Sequence, residues 1–369
     1  RDFNGAAQEG VGPYQITVRD GIRASASRAY LWPALKRKNL AVETVAQATR
    51  ILFEGKRATG VEYRRGGRLV EAQARREVIL SAGAINSPQL LLLSGIGDPT
   101  LLRRLGIQLL HEAPEVGRNL QDHLAYDHYY HANMGTLNDR LNSWIGQLFI
   151  GIQYVFFSSG PLSMSVNQAG GFVRTRAGLD RPNMQLYFCP LSFQKAPPKS
   201  SAIVIPEKAS GFSLTVSPCR PTSRGSVELR LPDPLAPPAI RPNYLSSEHD
   251  VAEIMEGANF MRKLASMPSL AAVIAKETIP GPDCDTDEEM LAHIRAKAAS
   301  IFHPCGTCRM GPDAASAVVD DRLRVHGLEG LRVIDASIFP TIPAGNLNAP
   351  SIMVGEKGAA MVLEDAGGG

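Results

Sequence analysis

The spacing of hydrophobic and polar positions changes several times along the chain. Leu40-Ala-Val42, Thr49-Arg-Ile-Leu-Phe53, Gly60-Val-Glu-Tyr63 and Glu77-Val-Ile-Leu80 are short β-rich runs, cut by turns at Glu54-Gly55-Lys56 and Gly66-Gly67. They predict strands over residues 40–80, after a polar, Gly-rich start with a helix over 25–35. Glu77–Leu80 ends at Ser81-Ala82-Gly83-Ala84, and Ser87 and Pro88 then open a leucine-rich helix that Gly95 ends. A strand, a small-residue turn and a helix form half of a nucleotide-binding crossover. From about 120 to 300 strand-like pieces at 183–188, 212–217 and 225–231 alternate with proline-rich connections, and helices are predicted over 248–265 and 287–298. Leu331-Arg-Val-Ile-Asp335 reads as another strand, with a last helix over 350–363. The apolar run from Trp144 to Phe157 holds Gln147 and Gln153 and is shorter than the roughly 20 residues of a membrane span. It predicts a buried helix, with a surface-seeking helix as the alternative.

Composition adds limits. A chain of 369 residues suits two domains, or one with a large insertion. A net charge of +3 with scattered basic residues argues against nucleic acid as a partner. The five cysteines, Cys189, Cys219, Cys284, Cys305 and Cys308, form no framework, which favours a reducing compartment.

Three stretches carry a family likeness: Gly83-Ala-Ile-Asn-Ser-Pro-Gln-Leu-Leu-Leu-Leu-Ser-Gly-Ile-Gly97; His303-Pro-Cys-Gly-Thr-Cys-Arg-Met-Gly311; and Val333-Ile-Asp-Ala-Ser-Ile-Phe-Pro340, leading to Gly345-Asn-Leu-Asn-Ala-Pro350. With Gly117-Arg-Asn-Leu-Gln-Asp-His123 between them, the chain resembles the glucose-methanol-choline (GMC) oxidoreductases, FAD enzymes that oxidise alcohols. The fold this implies is α/β of mixed α+β character: a partial FAD-binding, Rossmann-like domain with an inserted substrate domain of antiparallel sheet plus helices. Expected boundaries are a connecting segment and helix over 1–35, the partial FAD domain over 36–117, the substrate domain over 118–300, and the catalytic loop with the return to the FAD domain over 301–369.

Alcohol oxidation removes a proton from oxygen and a hydride from carbon. A histidine can take the proton, whereas the hydride needs a redox cofactor. From its loop setting alone His303 can be a base, a metal ligand with Cys305 and Cys308, or an ordinary hydrogen-bonded histidine. The resemblance implies the base. Zinc is disfavoured because no second cysteine pair exists, so both cysteines read as packing residues and no metal is expected. His123, His128 and His131, near Asp122 and Asp127, match no metal-loop spacing and read as structural or solvated. By resemblance Asn348 is the second catalytic residue, holding the substrate oxygen, with Ala349 and Pro350 behind it in a helix whose start faces the flavin.

The resemblance further implies that Ser81, Ala82, Gly83 and Ala84 approach the ADP moiety, that Asp335 and Ala336 lie near the flavin phosphate and ribityl chain, and that Ala48 stands beside the adenine. Asn167, Tyr187, Phe188 and Phe193 are expected to line the substrate pocket. Their apolar character, without a carboxylate between Gln185 and Phe193, favours a neutral primary alcohol over choline. A quinone or another carrier is the expected electron acceptor. No GxGxxG fingerprint occurs in the chain, so it reads as lacking the family's N-terminal part and as inactive alone. The alternatives are a choline dehydrogenase-like enzyme and a non-catalytic interaction protein that keeps the fold. A cytoplasmic place is expected, with membrane association as the alternative.

Overall fold

The computed structural model describes residues 2–195 and 204–367. The chain forms two compact units, each built from separated segments. One comprises Arg1–Arg37, Leu124–Cys219 and Glu248–Ser300. The other comprises Lys38–His123, Arg220–Ser247 and Ile301–Gly369. Two segments thus fall elsewhere than the boundaries read from sequence. The first 37 residues join the antiparallel sheet, because Gly10–Pro13 pairs with Ala169–Val173. Residues 220–247 go to the nucleotide-type unit, where Leu120 and Gly225 bridge.

The first unit is organised by an antiparallel sheet ordered Gly10–Pro13, Ala169–Val173, Met184–Cys189, Gly211–Pro218, Leu124–Ala132 and Ile274–Ile279, with Ala299–Ser300 on the start of Leu124–Ala132. The two-residue period sends Met184, Leu186 and Phe188 to one face and Gln185, Tyr187 and Cys189 to the other. The first face meets the helix Glu248–Ala265, which buries Ile254, Gly257, Ala258, Met261 and Ala265 at helical spacing. Approach is close there: a Cβ at Gly257 would lie 2.9 Å from Val216 and 3.2 Å from the Met184 sulfur.

The apolar run does form the helix Trp144–Phe157, with Ser143 as N-cap through its bond from the Gly146 N–H. It is not buried, however. Only Ile150 is covered, while Trp144, Phe149, Val155, Phe156 and Phe157 are 61–74% exposed. A run apolar on every side carries no periodic signal for burial. No helix among the described residues is long and apolar enough to cross a membrane.

The second unit contains the antiparallel sheet Ala46–Glu54, Arg57–Arg65 and Arg68–Gln73, and a parallel pair, Val78–Leu80 with Leu331–Val333. Leu40–Val42, expected as strand, is irregular. The helix expected to open at Ser87 begins four residues earlier and spans Gly83–Leu93 with Pro88 inside it. Pro88 has no N–H for the Ala84 carbonyl one turn back. The Thr307 hydroxyl takes that place at 2.6 Å, so the defect in the helix becomes an anchor for the His303 loop. Leu90, Leu91 and Leu92 enter a core shared with Val78, Leu80, Leu331 and Val333. The last helix spans Asn348–Gly367.

Candidate active site

The parallel strands Val78–Leu80 and Leu331–Val333 end side by side, where ligands gather in α/β folds. Asp335 ties the two ends together. Its carboxylate accepts from the Gly83 N–H at 2.9 Å, the Ser87 hydroxyl at 2.5 Å and the Ser337 N–H at 2.7 Å. Gly83 adopts φ +81, which glycine supplies without strain, and a Cβ there would meet nothing within 4 Å. Ser81 and Ala82 are exposed and Ala336 half-buried. This turn is therefore open to a large group running along the backbone. Ala84 is buried, and Ala48 is half-buried in strand Ala46–Glu54, opposite Tyr63.

The His303 loop lies along the other side of Ala336–Ile338. The N–H groups of Gly306, Cys308 and Met310 donate to the carbonyls of Ala336, Ser337 and Ile338 at 3.2, 2.8 and 2.8 Å. Cys305 and Cys308 are fully buried, and the described residues contain no cluster able to hold a metal. Gln121 pairs with Cys305 through both backbone groups, and the Asp122 carboxylate accepts from the His303 N–H at 2.8 Å. Tyr244 donates its hydroxyl to the same carboxylate.

His303 is 8% exposed. Its two ring nitrogens face different partners: Nδ1 stands 3.0 Å from Nδ1 of His123, and Nε2 stands 3.2 Å from the side-chain amide nitrogen of Asn346. With the Asn346 amide nitrogen assigned at Nε2, a neutral His303 accepts there and carries its proton on Nδ1, toward His123. Burial lowers the His303 pKa to about 4; His123 adds to this and Asp122 opposes it. The imidazole is therefore neutral near pH 7, with an unprotonated nitrogen at Nε2 beside the Asn346 amide.

Sequence reasoning missed several of these residues. Asn346, two positions before the asparagine chosen from sequence, is the side chain at Nε2; it is exposed, as are Asn348 and Ala349, and Pro350 is half-buried at the start of the last helix. Nothing in the string Asn-Leu-Asn distinguishes the two. His123, read as structural or solvated, is buried against His303, whereas His128 and His131 belong to the other unit. Phe302 holds φ +63 with its side chain 86% exposed, a costly backbone state for an aromatic residue and one that gathers at functional sites. The expected pocket residues, all in the first unit, do not form one wall. Tyr187 and Phe188 point to opposite faces of the sheet, as adjacent strand residues must. Phe193 packs edge-on against Tyr129 at 5.7 Å, and Asn167 is half-buried. A carboxylate, absent between 185 and 193, stands two strands away: Asp127 and Tyr187 both pair with Thr215 and share its face, and Asp127 accepts from the Thr215 hydroxyl at 2.5 Å.

Comparison with known proteins adds the context. The profile described as GMC oxidoreductase matches residues 1–125 in its N-terminal part and 221–355 in its C-terminal part. The chain is similar to an alcohol dehydrogenase [acceptor] of Pseudomonas putida, 43% identical over 98% of this chain and 65% of that protein. It is also similar to an oxygen-dependent choline dehydrogenase of Xanthomonas axonopodis pv. citri, 45% identical over 96% of this chain and 63% of the relative. The chain thus spans 63–65% of the length of these curated relatives. Among solved structures, formate oxidase of Aspergillus oryzae RIB40, studied for its FAD modification, superposes with a TM-score of 0.88 at 26% identity, over 97% of this chain and 66% of that one. Pyridoxine 4-oxidase from Mesorbium loti does so at 0.82 and 30% identity, over 97% and 65%. With its motifs, its two interleaved units and these matches, the chain belongs to the GMC oxidoreductase family.

Proposed function

We propose that the protein carrying this chain is an FAD-dependent oxidoreductase that converts a primary alcohol to an aldehyde, with His303 as the base. The observation behind this is the neutral His303 imidazole, whose Nε2 lone pair stands beside the Asn346 amide. Bound FAD would supply the hydride acceptor that no side chain can provide. The open turn at Ser81–Ala84, with Asp335 and Ala336 beside it and Asn348–Pro350 at the head of the last helix, would hold it. His303 takes the hydroxyl proton at Nε2, while its Nδ1 proton stays on the hydrogen bond to His123. Asn346 donates to the same oxygen and so favours the alkoxide; unlike a histidine it cannot take the proton. Asp122 fixes the loop by holding the His303 N–H. The electrons then leave to a quinone or another carrier.

The complete protein tests this directly. His303→Ala is expected to lower the rate of flavin reduction by an alcohol about 100-fold or more in stopped flow. A parental rate in that variant refutes the assignment. A neutral alcohol is the primary reading of the substrate. Choline is the second, supported by the similarity to oxygen-dependent choline dehydrogenases at 43–45% identity. A dye-linked assay across aliphatic alcohols, aromatic alcohols and choline separates the two by preference.

A further inference from the structure

The first unit holds a cavity of about 580 Å³ on the Phe188 side of its sheet, the face opposite Tyr187. Leu137, Met164, Phe188, Phe212, Leu270 and Val273 supply much of its wall. Its polar side chains are few. Thr136 is occupied as the acceptor for the Gly211 N–H at 3.0 Å. Gln168 is half-buried, and Arg140 is exposed with no partner for its guanidinium among the described residues. The volume falls within the roughly 300–1,000 Å³ of ordinary small-ligand sites. Apolar walls with one uncommitted cation select an amphiphile whose tail is buried and whose head is anionic.

We propose that this cavity binds a single unbranched aliphatic chain ending in an anionic head, with Arg140 at the head and Leu270, Val273 and Phe212 along the tail. The setting supports an amphiphile over a compact apolar molecule. The cavity wall flanks the exposed helix Trp144–Phe157 on both sides in sequence, and no charged residue occurs between Arg140 and Arg174. At the far end of that helix Ser158 packs against Gly21, where an added Cβ would meet the Ser158 carbonyl. Gly21 belongs to an exposed basic stretch holding Arg19, Arg23, Arg28, Lys36 and Arg37, in which Arg28 lies over the Trp32 ring. An exposed apolar helix whose end meets a stretch of net positive charge, in which Arg19 pairs with Asp20, has the composition of an interfacial lipid surface. The chain can come from a bilayer lipid or from a free carboxylate.

The test is calorimetric titration of the purified protein with dodecanoate and decanoate below their micelle concentrations, with dodecyltrimethylammonium as the cationic control. Saturable binding of one dodecanoate is expected. Two fewer methylenes should weaken it about tenfold, and the cationic analogue should bind more weakly. Leu270→Trp and, as a second filling variant, Val273→Phe should each abolish binding while retaining the parental melting transition. Arg140→Gln should weaken it about fivefold. No saturable binding, no dependence on chain length, or filling variants that bind as the parent does would each overturn the proposal. Flotation with phosphatidylcholine vesicles, with and without phosphatidylglycerol, separates the sources. Flotation on the anionic vesicles, relieved by dodecanoate, identifies a bilayer lipid, and binding of dodecanoate without flotation identifies the free carboxylate.

Discussion

The buried, neutral state of His303 has a measurable cost in acid. An unfolded histidine titrates near 6.5, whereas folded His303 is held at about 4. Between these values the unfolded chain binds a proton that the folded chain refuses, so acid favours unfolding. The contribution is intact above pH 6.5 and is lost as pH falls toward 4. The gap corresponds to a loss of about 2 kcal/mol by pH 5 and about 3 kcal/mol by pH 4, relative to pH 7. His111, His128 and His293 are also lowered by burial and act with the same sign, so the parental curve alone does not isolate His303. The comparison with His303→Gln does, because the amide cannot titrate and the other histidines remain. Urea unfolding of both proteins at steps from pH 7 to pH 4 should show the parent losing about 3 kcal/mol more than the variant. Parallel stability curves would refute the buried neutral histidine and, with it, the lone pair that the base assignment needs.

Three other outcomes follow from the same geometry. Asn346→Ala should slow flavin reduction by roughly tenfold through loss of one hydrogen bond to the oxygen, and more than Asn348→Ala does; stopped flow on both variants checks the order. Asp335→Ala leaves the Gly83 N–H, the Ser337 N–H and the Ser87 hydroxyl without their shared acceptor and should cost about 3 kcal/mol in denaturant unfolding. Phe302→Gly relieves a left-handed aromatic residue that buries little and should stabilise the protein by about 1 kcal/mol, read as a higher unfolding midpoint.

Local sequence alone carried much of the fold. The helix over 248–265 was legible because its apolar positions recur at helical spacing, and the strands at 184–189 and 211–218 because short apolar runs stand between turn residues. The Gly83, His303 and Asp335 motifs were legible because their residue types and order resemble those of a known family, which the matches to the GMC oxidoreductase profile bear out. Long-range packing decided the rest. Whether Trp144–Phe157 is covered depends on what lies against it, and an all-apolar run does not encode that. Which asparagine meets Nε2 depends on the path of the loop that enters the last helix: Asn346 lies in that loop, two residues before the helix begins at Asn348, so no helical spacing places it. The role of His123 was invisible for a similar reason. It lies 180 residues from His303, and long-range pairing brings the two rings together: Gln121 with Cys305, the Asp122 carboxylate with the His303 N–H, and the His123 carbonyl with the Ile301 N–H.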